Sequence, residues 1–310
     1  MIYALDQQTG EVKWNFSTVD SPDIWGNSKV NSGGGCWYTP SVDLATGIIF
    51  WGVGNPAPWP GTEAFPSGSS RPGANLYTDS LLAVNSSSGE LVWYSQANSH
   101  DIFDHDFQIP PILAKADIGG KNQEIVLGAG KLGRVFAFNR STGAILWITE
   151  VGEHLNDQLA GISNETVKVY PGYFGGVETP MAYADGAVYV PYVDLYANYT
   201  GSKLVDSQKF AEGRGGLAAI DVKTGKILWD KKFSSLNVGG ATVVNDLVFT
   251  ATFDGTVYAF RRDSGEEVWQ YKAPAGVNAW PAVANDTIVW PCAASGEPTL
   301  LALRLPFSKS

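Results

Sequence analysis

The sequence predicts an all-β chain folded as a β-propeller of four-stranded blades, and its composition, an internal repeat and the repeat spacing support this. The 310 residues include 35 Gly, 17 Pro and 11 Trp, and only 17% are charged. This composition suits many short strands joined by turns rather than packed helices. A chain of this length can bury a large core, so we expect one domain over residues 1–310.

The internal repeat has the form A-x-D-x-x-T-G-x-x-x-W. Intact copies span residues 4–14 and 219–229, and looser copies end at Trp93, Trp147 and Trp269. Each copy predicts a hairpin: alternating apolar residues form one strand, Asp or Asn followed by Gly forms the turn, and the return strand ends in a buried Trp.

The spacing of the repeat indicates propeller blades. Successive repeat tryptophans are 79, 54, 82 and 40 residues apart, which fits a unit of about 40 residues carrying insertions. A further strand pair precedes the hairpins, for example at residues 39–51, 179–190 and 240–250. We expect four full blades, an opening half blade at residues 2–16 and a closing one at residues 282–305, about five blades in all.

The pattern begins and ends within a blade. Unpaired strand edges favour aggregation, so a propeller normally closes its ring. We therefore expect that the chain is an incomplete ring that lacks N-terminal blades.

The charge balance excludes some partners. Lys and Arg number 21 against 31 Asp and Glu, a net charge of −10, which disfavours nucleic acid and anionic membrane surfaces. No run of about 18 apolar residues predicts a transmembrane segment. The first residues read as a strand, so no signal peptide is expected within the chain. Cys36 and Cys292 match no metal or redox spacing.

Residues 99–107 form the stretch with the most chemical potential. They contain three carboxylates and two of the three histidines of the chain. Asp104 and Asp106 are one residue apart and can both face a hard cation if the backbone there is irregular. The alternative is a turn with solvated acids. His100 and Asp101 are expected to shape the loop.

Three other residues are candidates for binding. Trp37 follows the glycine run at residues 33–35 and could lie flat against a planar ligand. Asn55 lies in a rigid Gly-Asn-Pro-Ala-Pro-Trp stretch and offers an amide oxygen to a metal. Lys131 lies between two predicted strands, where its ammonium could reach a ligand. The alternatives are a packing Trp, a turn Asn and a solvated Lys.

Taken together, these stretches resemble the quinoprotein alcohol dehydrogenases, which use pyrroloquinoline quinone (PQQ) and have eight-bladed propellers. The glycine run with Trp37, the Gly-Asn-Pro-Ala-Pro-Trp at residues 54–59, the His-Asp-x-x-Asp at residues 100–104 and the repeats occur in the same order there. The resemblance covers nearly the whole chain and corresponds to roughly the last two thirds of such an enzyme.

The resemblance implies a role for each residue. Trp37 would stack on the PQQ plane, and Lys131 would hydrogen-bond the quinone oxygens. Asn55 would ligate a metal beside PQQ, together with Asp104 and Asp106. Asp104 would also take the alcohol proton as hydride moves to the quinone. This assignment is chemically coherent because it combines a Lewis acid with a carboxylate base.

Two positions refine the expected metal and cofactor site. Asp106 resembles the extra carboxylate of the relatives that use a lanthanide, so calcium is expected with a lanthanide as the alternative. Phe103 stands where the family often has Trp, and His105 separates the two acids. Glu178 follows a glycine pair in a stretch where the family contacts PQQ, and it is a further cofactor-binding candidate.

The chain also departs from the family pattern. The adjacent cysteine pair and the glutamate metal ligand of the family have no counterpart in this sequence, so the cofactor site would be incomplete. Insertions at residues 60–78 and 192–212 are expected to build a funnel over the site.

The implied function is PQQ-dependent oxidation of an alcohol to its carbonyl compound, in the periplasm or outside the cell. The substrate would be a small-molecule or polymeric alcohol, and the electron acceptor a cytochrome c-like protein. One alternative is a non-catalytic propeller of the same repeat that binds proteins, as outer-membrane assembly lipoproteins do. Another is an inactive, truncated relative.

Overall fold

The computed structural model describes residues 1–206 and 209–304, and these residues form 26 β-strands and two three-residue 3-10 helices, Pro66–Gly68 and Phe210–Glu212. Leu305, the predicted end of the closing blade, lies outside this range. In the described ranges, no helix has the length and hydropathy needed to cross a membrane.

The strands are β1 (Ile2–Leu5), β2 (Val12–Phe16), β3 (Ser32–Gly33), β4 (Ser41–Asp43), β5 (Ile48–Gly52), β6 (Pro56–Ala57), β7 (Ser80–Asn85), β8 (Leu91–Gln96), β9 (Ile112–Ile118), β10 (Lys121–Ala129), β11 (Arg134–Asn139), β12 (Ile145–Glu150), β13 (Val167–Val169), β14 (Ala182–Ala184), β15 (Ala187–Asp194), β16 (Ala197–Thr200), β17 (Lys203–Leu204), β18 (Arg214–Asp221), β19 (Ile227–Phe233), β20 (Thr242–Val244), β21 (Leu247–Ala251), β22 (Thr256–Arg261), β23 (Glu267–Lys272), β24 (Ala282–Ala284), β25 (Thr287–Cys292) and β26 (Thr299–Arg304).

The chain divides into two compact units. The first contains Met1–Gly176 and the described part of 196–208, and the second contains Val177–Leu195 and the described residues from Lys209 onward. The first unit holds two four-stranded antiparallel sheets, β4-β5-β7-β8 and β12-β11-β10-β9, with the small sheets β1-β2, β3-β6 and β13-β16-β17. The second holds β14-β15-β18-β19, β20-β21-β22-β23 and β24-β25-β26. One domain over residues 1–310 stays a prediction.

These sheets make the chain a β-propeller of four-stranded blades, as the repeat predicts. The four-stranded sheets correspond to the four full blades, and β1-β2 corresponds to the opening half blade. Within the described residues, the closing sheet β24-β25-β26 has three strands.

Each repeat hairpin has the same bulged turn. In the first, Asp6 Oδ1 accepts hydrogen bonds from the backbone N–H groups of Gln8 and Thr9, at 2.9 and 3.0 Å. The strand register then shifts by one residue directly after the repeat Ala, and the same shift occurs in all five hairpins. The spacing that recurs in each copy of the motif therefore encodes a bulge as well as a turn.

Three of the repeat tryptophans pack on the turn of the next hairpin. Trp93 Nε1 donates a hydrogen bond to the carbonyl oxygen of Arg140 at 3.0 Å, and its ring lies against Gly143. Trp14 and Trp229 make the same kind of contact with the following turns. The glycine thus serves two purposes: it accepts a positive φ and leaves room for the indole.

Aromatic side chains fill the space between the two blades of the first unit. Phe50, Phe136 and Phe138 form a buried cluster with Phe107. The ring of Phe107 meets the ring of Phe136 edge-on, with their centroids 5.4 Å apart. Phe107 ends the acidic stretch at residues 99–107, so this packing anchors the stretch inside the protein.

The packing of Trp93 on the turn at Gly143 predicts that Gly143→Ala destabilises the chain more than Gly119→Ala does. Both glycines have positive φ, 72° and 63°, but a Cβ at Gly143 would lie 2.5 Å from the ring of Trp93, whereas a Cβ at Gly119 meets open space. We expect an extra loss of about 2 kcal/mol from overpacking, measured by urea unfolding. Equal losses in the two variants would contradict this role of Trp93.

Candidate functional site

The stretch at residues 99–107 is a buried, irregular loop rather than a solvated turn. Asp101, Asp104 and Asp106 are 0%, 9% and 3% exposed. Asp104 has a φ of 67°, in the left-handed region that non-glycine residues seldom adopt. Such a conformation persists only where the surroundings hold it, which is typical of functional loops.

Four hydrogen bonds hold this loop. The carboxylate of Asp101 accepts hydrogen bonds from the backbone N–H groups of Phe103 and His105, both at 2.8 Å, and so brackets Asp104. The Nε2–H of His105 donates to the carbonyl oxygen of Pro171 at 2.9 Å. The hydroxyl of Tyr199 donates to the carbonyl oxygen of Phe103 at 3.2 Å. Asp101 therefore shapes the loop, as the sequence predicts.

Lys131 lies at the centre of the site. Its Nζ is 2.8 Å from Asp104 Oδ2 and 2.7 Å from Asp106 Oδ2. The second oxygen of Asp106, Oδ1, accepts a hydrogen bond from the backbone N–H of Asn55 at 2.7 Å. The structure thus brings together four of the residues that the sequence singled out.

Trp37 borders the same group and is open to solvent. It is 51% exposed, and its ring centroid lies 5.7 Å from Lys131 Nζ. Gly54 allows this close approach, because a Cβ there would collide with Asp106 Oδ1 and lie 3.1 Å from the indole nitrogen. An exposed indole beside an ammonium offers a flat surface for a planar, anionic ligand.

The backbone around Asn55 is also fixed. Its carbonyl oxygen accepts a hydrogen bond from the N–H of Gly34 at 3.1 Å, and its side-chain Nδ2 donates to the carbonyl oxygen of Pro56 at 3.1 Å. In the part of the chain that the structure describes, no three His, Cys, Asp or Glu side chains form a ready metal cluster. The Asn55 side chain adds an amide oxygen to the carboxylate oxygens of Asp104 and Asp106 as a possible metal donor.

Burial makes Asp104 a weak acid. Desolvation, followed by the charge of Asp106, raises the pKa of Asp104 to about 7, although Lys131 acts in the opposite direction. A carboxyl group with a pKa near neutrality can both accept and release a proton at physiological pH. Burial lowers the pKa of His105, which favours the neutral imidazole.

Sequence reasoning missed Arg71 and Asp79, which lie behind the loop. Arg71 is fully buried and donates through its guanidinium to Asn75 Oδ1 at 2.6 Å and to the carbonyl oxygens of Pro58 and Asp101. Asp79 is fully buried as well, and burial, with the charges of Asp101 and other acids, raises its pKa well above the ordinary value. A lone Arg in the Gly-, Pro- and Ser-rich segment was the available signal.

Glu178 is a sequence-predicted candidate, whereas Cys36 is not. Glu178 is buried, 7% exposed, in the second unit, and its role in cofactor binding stays a prediction. Cys36 precedes Trp37 and packs beside a buried apolar cluster. Burial raises the pKa of its thiol to about 12, so it is uncharged at neutral pH.

The residues present fit a cation and a planar quinone. The donors are hard oxygens, which calcium and lanthanide ions prefer. Carboxylates also outnumber the cations buried with them. The carboxylates are Asp79, Asp101, Asp104 and Asp106, and the cations are Arg71 and Lys131. Excess buried negative charge is costly unless a further cation compensates it.

Comparison with family models matches both halves of the chain. A model of the PQQ type, described as the glucose/ethanol/alcohol dehydrogenase β-propeller domain, matches residues 1–178. A second model of this type, described as outer membrane protein assembly factor BamB, matches residues 131–304.

Individual proteins are similar over most of the chain. The quinohemoprotein alcohol dehydrogenase ADH IIB of Pseudomonas putida is 27% identical over 330 residues, which cover 90% of this chain and 47% of that protein. The solved quinohemoprotein alcohol dehydrogenase of Comamonas testosteroni matches with a TM-score of 0.82 and 22% identity, covering 99% of this chain and 57% of the other. A europium-containing methanol dehydrogenase matches with a TM-score of 0.79 and 20% identity, covering 95% and 61%. The chain spans about half the length of the curated relatives it matches.

The raised pKa of Asp104 predicts how stability depends on pH in the metal-free chain. The unfolded carboxyl loses its proton near pH 3.8 and the folded one near pH 7, so the free energy of unfolding falls as pH rises through this window and levels off above it. Asp104→Asn should remove about 2 to 4 kcal/mol of this fall, measured by urea unfolding in EDTA.

Asp286→Asn provides the control. The hydrogen bond from Arg304 lowers the pKa of the half-buried Asp286, so its removal acts in the opposite sense and only at acid pH. This variant should keep the wild-type fall between about pH 4 and pH 7. An unchanged fall in Asp104→Asn would show that Asp104 is not the buried acid.

Proposed function

Because the chain belongs to the PQQ β-propeller family of the glucose, ethanol and alcohol dehydrogenases, we propose that it oxidises an alcohol to its carbonyl compound with PQQ as the electron acceptor. The observation that carries the proposal is the contact of Lys131 Nζ with both Asp104 and Asp106 beside the exposed ring of Trp37. These are the residue types that such a reaction requires.

Asp104 is the proposed base. Its carboxylate receives the proton of the alcohol hydroxyl, and its pKa of about 7 keeps a large fraction ionised at neutral pH. Lys131 holds Asp104 through Oδ2 and orients the group. Bound PQQ would supply the two-electron acceptor that no side chain of this protein can provide.

Trp37, Lys131 and Glu178 are the proposed cofactor-binding residues. The open face of Trp37 provides a stacking surface for a flat ring system. The ammonium of Lys131 lies 5.7 Å from that ring's centroid, a position from which it can donate to oxygens at the edge of a stacked ligand. Glu178 is assigned on the family resemblance.

Asn55, Asp104 and Asp106 would hold the metal ion. Amide and carboxylate oxygens suit calcium, and the second carboxylate, Asp106, makes a lanthanide the alternative. The similarity to a europium-containing methanol dehydrogenase supports the lanthanide as an alternative to calcium. In this position the ion would act as a Lewis acid and would offset the acidic excess of the site.

The remaining assignments extend the same proposal. Two relatives are named quinohemoproteins, a name that denotes a haem group. This supports a cytochrome-type electron acceptor. The substrate is a small-molecule or polymeric alcohol, and the compartment is the periplasm or the cell exterior. Such enzymes act outside the cytoplasm in the family that this sequence resembles.

A titration with PQQ tests the cofactor site. We expect saturable quenching of tryptophan fluorescence that requires calcium or lanthanum, and a Trp37→Ala variant should bind PQQ about tenfold more weakly because it loses the stacking surface. Trp269→Ala, which removes a partly exposed Trp from the second unit, is the control and should bind normally. Metal-independent quenching that persists in Trp37→Ala would overturn the assignment.

Dye-linked alcohol oxidation tests the base. Asp104→Asn preserves the size of the side chain and keeps an oxygen that can ligate the metal ion, but it cannot accept the proton. We therefore expect the rate to fall by about 10²- to 10⁴-fold while PQQ still quenches the fluorescence. Asp43→Asn, at a buried turn of the same unit, is the control and should keep the wild-type rate. An active Asp104→Asn variant would assign the base elsewhere.

A second candidate function is a protein-binding scaffold without catalysis. The match of residues 131–304 to the BamB model favours it. This reading gives no reason for buried Asp104 and Asp106 to share Lys131. It predicts a chain that binds neither PQQ nor a metal ion, so the same titration separates the two functions.

A further inference from the structure

Asp79 is a buried carboxylate that the proposed reaction does not use. It is the first residue after the 60–78 insertion and lies directly before β7. Its side chain is 0% exposed, and neither of its carboxylate oxygens has a hydrogen-bond partner among the residues described. Buried side-chain oxygens are nearly always paired, and an unpaired ionised carboxylate is among the most costly groups to bury. A group of this kind indicates an absent ion or water.

The backbone of Asp79 is joined to the candidate metal site. Its N–H donates a hydrogen bond to the carbonyl oxygen of Gly54 at 3.2 Å, directly before Asn55. Its own carbonyl oxygen accepts from the N–H of Ala97 at 2.8 Å. Its φ of 49° lies in the left-handed region, so the backbone holds an uncommon conformation at this point.

The charges around Asp79 do not balance. Its carboxylate interacts electrostatically with three other acids and with one cation: Asp101, Asp104 and Asp106, and Arg71. Arg71 directs its guanidinium to Asn75 and to two carbonyl oxygens, and its Nε has no partner among the described residues. Lys131 contacts the other side of the group, at Asp104 and Asp106. No described cation forms an ion pair with Asp79.

We propose that Asp79 is an additional anionic residue of the cation site, acting through its charge to favour a trivalent over a divalent ion. The inference rests on the proposed function, because it requires a cation beside Asn55, Asp104 and Asp106. Burial raises the pKa of Asp79 in the metal-free chain, and a cation bound beside it would stabilise the ionised carboxylate in proportion to the charge of that ion. A nearby buried charge commonly shifts a pKa by about one unit, which is a tenfold change in an equilibrium constant. We expect the charge of Asp79 to change the preference for a trivalent over a divalent ion by a similar factor, about tenfold.

Equilibrium dialysis tests this directly. The chain is stripped with EDTA and dialysed against equal concentrations of lanthanum and calcium, with and without PQQ, and the ratio of the two bound ions is measured. We expect the ratio of bound lanthanum to calcium to fall about tenfold in Asp79→Asn. The Asp43→Asn variant makes the same change in net charge at a buried turn and should keep the wild-type ratio.

Thermal unfolding gives a second readout. In EDTA, Asp79→Asn should be at least as stable as the wild type, because it removes a buried carboxylate that has no partner. Saturating lanthanum should then raise the melting temperature of the wild type more than that of the variant. Asp79→Ser, a smaller replacement, serves if the asparagine variant does not fold, and the same outcomes are expected.

The outcomes separate this inference from the proposed function. If the wild type retains neither ion, the cation site itself is wrong and both proposals fall. If the wild type binds lanthanum and Asp79→Asn keeps the same ratio of lanthanum to calcium, only the role of Asp79 is wrong, and Asp79 is then a protonated or water-bound side chain. A lower ratio in the variant supports the role proposed here.

Discussion

The packing of Trp93 on the glycine turn of the following hairpin is the contact on which the site depends. Trp93 joins the blade β4-β5-β7-β8 to the blade β12-β11-β10-β9 through the turn at Gly143. Asn55 follows β5 in the first blade, and Lys131 follows β10 in the second. Because the contact of Trp93 with Gly143 fixes the two blades against each other, the Asp106 side chain can contact both the N–H of Asn55 and Nζ of Lys131, at 2.7 Å each.

This rigid frame supports an arrangement that is unfavourable by itself. Several carboxylates are buried near one another, and Lys131 serves two of them. A site with this imbalance reduces the stability of the metal-free chain, since carboxylates that lack a counter-ion are driven toward their neutral form. Burial, and to a lesser extent the charge of Asp106, raises the pKa of Asp104 even though Lys131 contacts it. Binding sites commonly retain groups that destabilise the unliganded protein, because the bound ligand restores the lost stability.

The sequence predicts the fold and part of the site for different reasons. The hairpins follow from local signals, since an Asp or Asn with a Gly four residues later closes the bulged turn in four of the five repeats. In the fifth repeat Arg261 takes that position, and the backbone bond from Gly265 to its carbonyl oxygen closes the turn. The meeting of Asn55, Asp104 and Lys131 depends on blade packing, which only the resemblance to a family indicated. Asp79 could not be found, because nothing in its neighbourhood distinguishes it from a surface acid. Its burial is a property of the folded chain alone.

The hydrogen bonds of the loop at residues 99–107 give its three acids, Asp101, Asp104 and Asp106, different roles. Asp101 uses both oxygens for backbone N–H groups, so it holds the loop and has little capacity left for a ligand. Asp106 binds Lys131 through one oxygen and the N–H of Asn55 through the other, and is therefore fixed in place as a source of charge. Asp104 contacts Lys131 through Oδ2, which leaves Oδ1 for another partner. Asp104 is therefore the acid of this loop that is best placed to exchange a proton with a substrate, and its raised pKa suits that task.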